Sequence, residues 1–384
     1  MTVAAAATPT ASSGLTLLRQ GRVLALLGSS LLGRLPTSMV PLALVLAVRA
    51  ADGSYGRAGV LGAIYTVGLA ASGPLASRFV DRSGQTVALV STTVVSAIAL
   101  VATALTVDGS FALCAAAVLV AGLATPPLEP CLRTVWPDVV PRERLHDAFT
   151  LEAASQEIVF ITGPVAVAAL DIVDPTLPLI GAAVATTAGA LGFAAQSPSR
   201  RWRPAPRHER SGAGPLSVPA LRRLYLALLF VGAPFGALTI GFTAFAEHKG
   251  NSGAGAWLLS LQALGALTGG LLVTHRPQWR SFPLLVLAGV WAAALTPLVL
   301  APSLPVMYPL AVLAGLPLAA LIVGVFAEVE RLTPAGAAAE SVGWMVTALV
   351  VGTALATPLA GWAESIGPAA ALALGPASLV VAIG

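Results

Sequence analysis

GPLASRFVDRSGQ, residues 73–85, bridges two long apolar runs, 56–77 and 85–107. Gly73 stands where the first run ends and lets neighbouring helices approach closely. Asp81 and Arg82 place opposite charges at a membrane interface, and Gly84 permits a tight turn. A D-R-x-G turn alone is common in soluble proteins. Between two runs that each suffice to cross a bilayer, it reads as the connection of two membrane helices.

The composition carries the same reading outward. Hydrophobic residues make up 57% of the 384 and charged residues only 10%, against about 25% charged in soluble domains. This is an all-α integral membrane protein, and the lipid bilayer is its first partner. The net charge of +4 is spread over short loops, which argues against nucleic-acid binding. Lys249 is the sole lysine and Asn251 the sole asparagine, a bias that suggests a GC-rich bacterial genome. Cys114 and Cys131 fall in one apolar run, about 25 Å apart if helical, too far for a disulfide.

Windows of membrane-spanning length predict twelve transmembrane helices. One long polar segment, SPSRRWRPAPRHERSGAGPLSVPALRR at 197–223, separates six from six. The predicted organisation is a cytoplasmic N-terminal tail (1–22), a six-helix bundle (23–196), a cytoplasmic linker (197–220) and a second six-helix bundle (221–384). Arg19, Arg22, Arg78, Arg82 and the seven arginines of 197–223 share one side, whereas the other receives only Arg49, Arg57 and Lys249. The excess predicts that both termini and the linker are cytoplasmic. The two halves echo each other: GLAASGPL at 68–75 matches GALTGGLL at 265–272, and Glu152 has a counterpart in Glu340.

The 73–85 stretch resembles the loop signature of the major facilitator superfamily: glycine, a few apolar residues, then D-R-x-G and a basic residue, which here is Gln85. GRLPTSM in the first span, LRTVWPDVVPRERL after the fourth and FITGPV in the fifth are similar to an actinobacterial efflux-like branch of that superfamily. The resemblance implies twelve helices in two pseudo-symmetric six-helix bundles and transport of a small-molecule solute by alternating access. It further implies that Asp81 closes against the start of the eleventh helix, where Thr333 and Pro334 are the predicted N-cap and first helical residue. Gly163 and Pro164 resemble the Gly-Pro element of antiporters, although the glycine expected four residues earlier is Val159.

Ionisable residues inside spans are costly and point to function. Counted at 1.5 Å per residue from the cytoplasmic side, Arg34 lies roughly 18 Å deep, Glu157 roughly 15 Å and Glu129 roughly 10 Å. Glu129 and Arg133, four apart, can pair within their helix, which leaves Glu157 as the partner expected for Arg34. These four are the candidates for a proton or solute cavity. Glu152 and Glu340 are candidate gate residues with Asp81, Arg82, Gly73 and Gly84, and Arg280 or Arg331 is the expected partner of Glu340. The alternative is a permanent ion pair that only orients helices. No phosphate-binding loop, metal-ligand spacing or H-E-x-x-H occurs, so no cofactor, metal or catalytic site is expected.

These features predict a monomeric secondary transporter, not an enzyme, in the bacterial cytoplasmic membrane, exchanging protons for exported lipophilic or amphipathic compounds. A symporter or sugar efflux protein of the same fold, or a non-transporting scaffold, is the alternative.

Overall fold

The computed structural model describes residues 16–203, 214–275, 282–334 and 337–383. The described residues form helices joined by short turns. In chain order these are α1 (Gly21–Ala50), α2 (Tyr55–Ser83), α3 (Gln85–Thr106), α4 (Phe111–Val139), α5 (Leu145–Asp171) and α6 (Leu177–Ala194). After the linker come α7 (Pro219–His248), α8 (Ala254–His275), α9 (Leu284–Val299), α10 (Leu304–Leu332), α11 (Ala338–Ala363) and α12 (Pro368–Ile383). Most of the predicted tail and residues 204–213 of the predicted linker lie outside the described residues. Because α6 ends where the linker begins, odd-numbered helices start at the linker end of the bundle and even-numbered ones at the far end.

Prolines interrupt three of the helices at mid-length. Pro36 removes an N–H from α1 one residue after Leu35, and α4 is unwound from Ala124 to Pro127. In α10, Leu316 and Pro317 separate Leu304–Gly315 from Leu318–Leu332. At the α2–α3 turn, Gly84 has φ +81°, a conformation that a residue with a Cβ adopts only under strain, so the predicted tight turn is present.

Glycines set the closest helix contacts, but not all at the predicted positions. A Cβ on Gly73 would meet nothing within 4 Å. The close approach of α2 is one and a half turns earlier, at Gly68, where a Cβ would sit 2.9 Å from the Leu119 carbonyl and 3.2 Å from Gly122 of α4. The second half repeats the arrangement: Gly265 of α8 packs onto Val312 and Gly315 of α10. Residues 68 and 265 were aligned by sequence, and they do the same work in space.

The two halves meet along α2–α11 and α5–α8. One buried core is shared between them at the far end. It contains Val45, Ala47 and Tyr55 from the first half with Ala237, Ile240, Ala244 and Ala360 from the second. At the linker end the first half keeps a core of its own, built on Leu128, Leu132, Trp136 and Phe193. Among the described residues, the shared core is therefore confined to the far end, and at the linker end the first half packs on itself. Large apolar residues such as Ile98, Leu105 and Val184 are well exposed on the outside, as suits a surface in contact with lipid.

Candidate functional site

The interior charges gather on α1, α4 and α5. Arg34 ends the first segment of α1, just before the Pro36 interruption, and only 8% of its surface is exposed. Its Nη2 donates to Glu129 Oε2 at 2.9 Å and also to the Gln156 carboxamide oxygen. Glu129 stands in the first turn of the segment that follows the unwound part of α4, where a helix N-terminus favours negative charge. Its other oxygen, Oε1, receives Arg133 Nη2 at 2.7 Å. Arg133 Nε donates in turn to Glu152 Oε1 at 3.0 Å, and the Trp136 indole N–H donates to Glu152 Oε2 at 2.9 Å. Two guanidinium groups thus alternate with two carboxylates in a neutral chain that crosses three helices.

Burial varies along that chain. The Arg34 and Glu152 side chains are 9% and 2% exposed, whereas Glu129 and Arg133 are 42% and 51% exposed. The middle of the network is wet and its two ends are dry. One Arg34 nitrogen, Nη1, is buried without a hydrogen-bond partner among the described residues.

This arrangement corrects the pairing expected from depth. Arg34 is held by Glu129 and Gln156, not by Glu157, because Glu129 has two oxygens and serves both arginines at once. Gln156 and Glu157 are consecutive on α5, so their side chains diverge by about 100°. With Gln156 on Arg34, Glu157 faces elsewhere and forms no ion pair or hydrogen bond among the described residues. Gln156 and Trp136 were missed. The spacing did carry a signal, since Glu152 and Gln156 lie four apart on one face of α5, matching Glu129 and Arg133 on α4.

Around Gly163 and Pro164, α1 and α5 are in intimate contact. Ser38 occupies the space a Cβ on Gly163 would need, and its hydroxyl donates to the Val159 carbonyl at 2.8 Å. Two residues on, the Ile161 carbonyl accepts from Ser260 of α8 at 3.1 Å, which ties the halves together beside the proline.

The remaining expected sites are dispersed. Asp81 and Arg82 are exposed at the linker end. The helix start expected at Thr333 and Pro334 is absent: Thr333 bonds back to the Val329 carbonyl at 2.6 Å and ends α10, and α11 begins at Ala338 after an Ala337 cap. Arg331 takes Glu328 through two nitrogens, at 2.5 and 2.8 Å, and so does not reach Glu340. Arg280 lies outside the described residues. Gln85, at the basic position of the loop signature, is 1% exposed and donates to Thr134 at 2.7 Å and to the Cys131 carbonyl at 3.2 Å. A fixed positive charge would be buried there. Cys114 and Cys131 are buried and free.

Two sets of six helices that share a buried core at one end, with a charged network inside one half, have the build of a membrane transporter. The chain belongs to the Major Facilitator Superfamily, whose family model matches residues 26–357. A variant of the nucleoside transporter NupG superposes with a TM-score of 0.77 at 12% identity, over 94% of this chain and 98% of that one. A variant of the peptide transporter POT in complex with sulfate gives 0.75 at 14%, over 94% and 92%. A bacterial homologue of the human lysosomal transporter Spinster, in an inward-facing, unoccupied conformation, gives 0.69 at 17%, over 95% and 94%. Comparison with curated protein sequences gives no match.

Proposed function

We propose that the chain is a proton-coupled exporter of small lipophilic or amphipathic compounds, of an actinobacterial efflux-like branch, in the cytoplasmic membrane of a bacterium. In this reading it works as a monomer, the linker end and both termini are cytoplasmic, and bundles 23–196 and 221–384 rock against each other. The arginine excess at the linker end supports that orientation.

The observation that carries the reading is Glu157. It is a carboxylate in the middle of α5 without an ion-pair partner among the described residues, next in sequence to the residue that holds Arg34. Such a group accepts either a proton or the positive end of a solute, and that competition exchanges one for the other. The network of Arg34, Glu129, Arg133 and Glu152 supplies fixed charges within the same half. Gly163 and Pro164, with Ser38 seated against them, support an antiporter-like α5. Asp81, Arg82, Gly84 and Glu340 are assigned to closure of the linker end when the far end opens.

Val159 and the free Nη1 of Arg34 favour a second reading, a symporter or sugar efflux protein of the same fold whose solute supplies an acceptor to that nitrogen. Proteoliposomes decide between them. With a proton gradient imposed, the wild type is expected to drive uphill movement of an amphipathic dye. Glu157→Gln is expected to keep downhill counterflow and lose the uphill component. Full proton-driven transport by Glu157→Gln would overturn the assignment.

A further inference from the structure

Away from the charged network, one ion pair among the described residues joins the two halves, and it lies at the far end. Arg49, in the last turn of α1, reaches Glu247 at the end of α7 through two nitrogens, Nη2 to Oε1 at 2.5 Å and Nε to Oε2 at 3.1 Å. Its third nitrogen, Nη1, donates to the Gly53 carbonyl at 2.7 Å, so the fork is oriented before it meets the carboxylate. Tyr55, the first residue of α2, donates its hydroxyl to Glu247 Oε2 at 2.6 Å and places its ring 4.6 Å beneath the Arg49 guanidinium. Two side chains from one half thus place three hydrogen bonds on a single carboxylate of the other.

Tyr55 also marks the point where the backbones of the halves touch. A Cβ on Gly361 of α11 would collide with the Tyr55 carbonyl, and one on Gly59 would sit 2.7 Å from the Thr357 carbonyl. These contacts exist only while the far end is closed, because their members belong to different halves. An exposed ion pair alone contributes little. Here a bidentate pair and a tyrosine hydroxyl act on one carboxylate, and the two donors are held together by the cation over the aromatic face, which favours a joint effect.

We propose that Arg49, Tyr55 and Glu247 form a latch that holds the far end shut in the resting transporter, and that Gly361 provides the clearance the latch needs to close. The proposal rests on alternating access alone and names neither solute nor coupling ion, so its failure would leave the proton-exchange reading standing. It differs from a purely structural ion pair in that weakening the latch moves the population toward the form open at the far end.

The test is alkylation of a cysteine placed at Ala244 in the shared far-end core, with Cys114 and Cys131 replaced by alanine. A membrane-impermeant maleimide is applied from the far side of oriented membranes. Arg49→Met, Glu247→Gln and Gly361→Ala are each expected to raise the labelling rate by about ten-fold. Tyr55→Phe, which deletes one hydrogen bond, is expected to raise it by about three-fold. The exchanged pair Arg49→Glu with Glu247→Arg should return the rate toward that of the parent. Gly361→Ala and Tyr55→Phe leave both charges in place, so they report on the latch if a charge-removing variant fails to fold. Unchanged labelling in these two, or no recovery in the exchanged pair, would overturn the proposal.

Discussion

Arg34 and Glu129 form a pair whose members are unequally buried, and that inequality makes their removal unequal. In Glu129→Leu the guanidinium stays, 9% exposed, and its remaining side-chain partner among the described residues is the neutral Gln156 carboxamide. Breaking a buried pair from one side costs about 3–5 kcal/mol. The lower end applies here, because the Glu152 carboxylate still attracts the guanidinium, although Arg133 offsets part of that attraction. In Arg34→Met the carboxylate stays, but it is 42% exposed and keeps Arg133 at 2.7 Å. A partly wet carboxylate that retains one partner loses about 1 kcal/mol or less. The double variant has no orphaned charge, and an apolar pair in place of a buried ion pair is close to neutral.

The expected order of stability is therefore wild type, then Arg34→Met and the double variant close together, with Glu129→Leu about 2 kcal/mol below them. Thermal unfolding of the purified proteins in one detergent, followed by loss of the monodisperse peak, measures this order. Arg34→Met proving the less stable of the two single variants would refute the reasoning, since it would mean that the carboxylate, not the guanidinium, is the group that needs its partner. A double variant no better than Glu129→Leu would refute it equally.

Other consequences are simpler to state. Gly122→Ala and Gly315→Ala insert one methyl into equivalent helix crossings and are each expected to cost roughly 1–3 kcal/mol; a large loss in one and none in the other, by the same unfolding measurement, would break the equivalence of the halves. Gln85→Arg, which restores the basic residue of the loop signature, is expected to lower expression and unfolding temperature, because it buries a charge against Thr134 and Cys131. Glu152→Gln should cost about 1–3 kcal/mol, since its carboxamide can still accept from Trp136 but turns a donor toward Arg133; a variant as stable as wild type would show that this end of the network is slack.

The fold was legible because the bilayer leaves few choices: backbone polar groups must be satisfied within each segment, so apolar runs of spanning length become helices and little else. The turn at Gly84 could be read for a similar reason, because few residues tolerate its φ. What could not be read was facing. Depth along a helix follows from counting residues, and by depth Glu157 suited Arg34 better than Glu129. Rotation about the helix axis decided instead, through one residue of offset between Gln156 and Glu157. The sequence points to Gly73 as a close-approach residue of α2, yet the close approach to α4 is at Gly68, because the partner helix determines which of two suitable glycines is used. Thr333 and Pro334 have the composition of a helix start, but the Thr333 hydroxyl is committed to the end of α10.

The glycine contacts and the helix interruptions fall together, and their combination suggests how motion is divided. In α4 the unwound stretch begins two residues after Gly122, the glycine packed on α2. In α10 the interruption begins one residue after Gly315, the glycine packed on α8. Each helix is thus clamped at its far-end segment and interrupted next to the clamp, so its linker-end segment can tilt without dragging the clamp. The two halves differ in what the freed segment carries. In α10, Glu328, Glu330 and Arg331 lie at the extreme end of the segment. In α4, Glu129 and Arg133 stand in its first turns, bound to α1 and α5. A tilt of that segment must loosen either the Arg34 or the Glu152 end of the network, whereas the same tilt in α10 disturbs no such chain. On the proposed reading, the interior charge network therefore belongs to the first half, and the second half contributes gate residues and the moving wall. Transplanting a glutamate–arginine pair into the first turns of the α10 segment should accordingly not rescue transport in Glu129→Leu, even where that protein folds. Rescue in the dye-uptake assay would show that the halves are interchangeable and would sink the division of labour argued here.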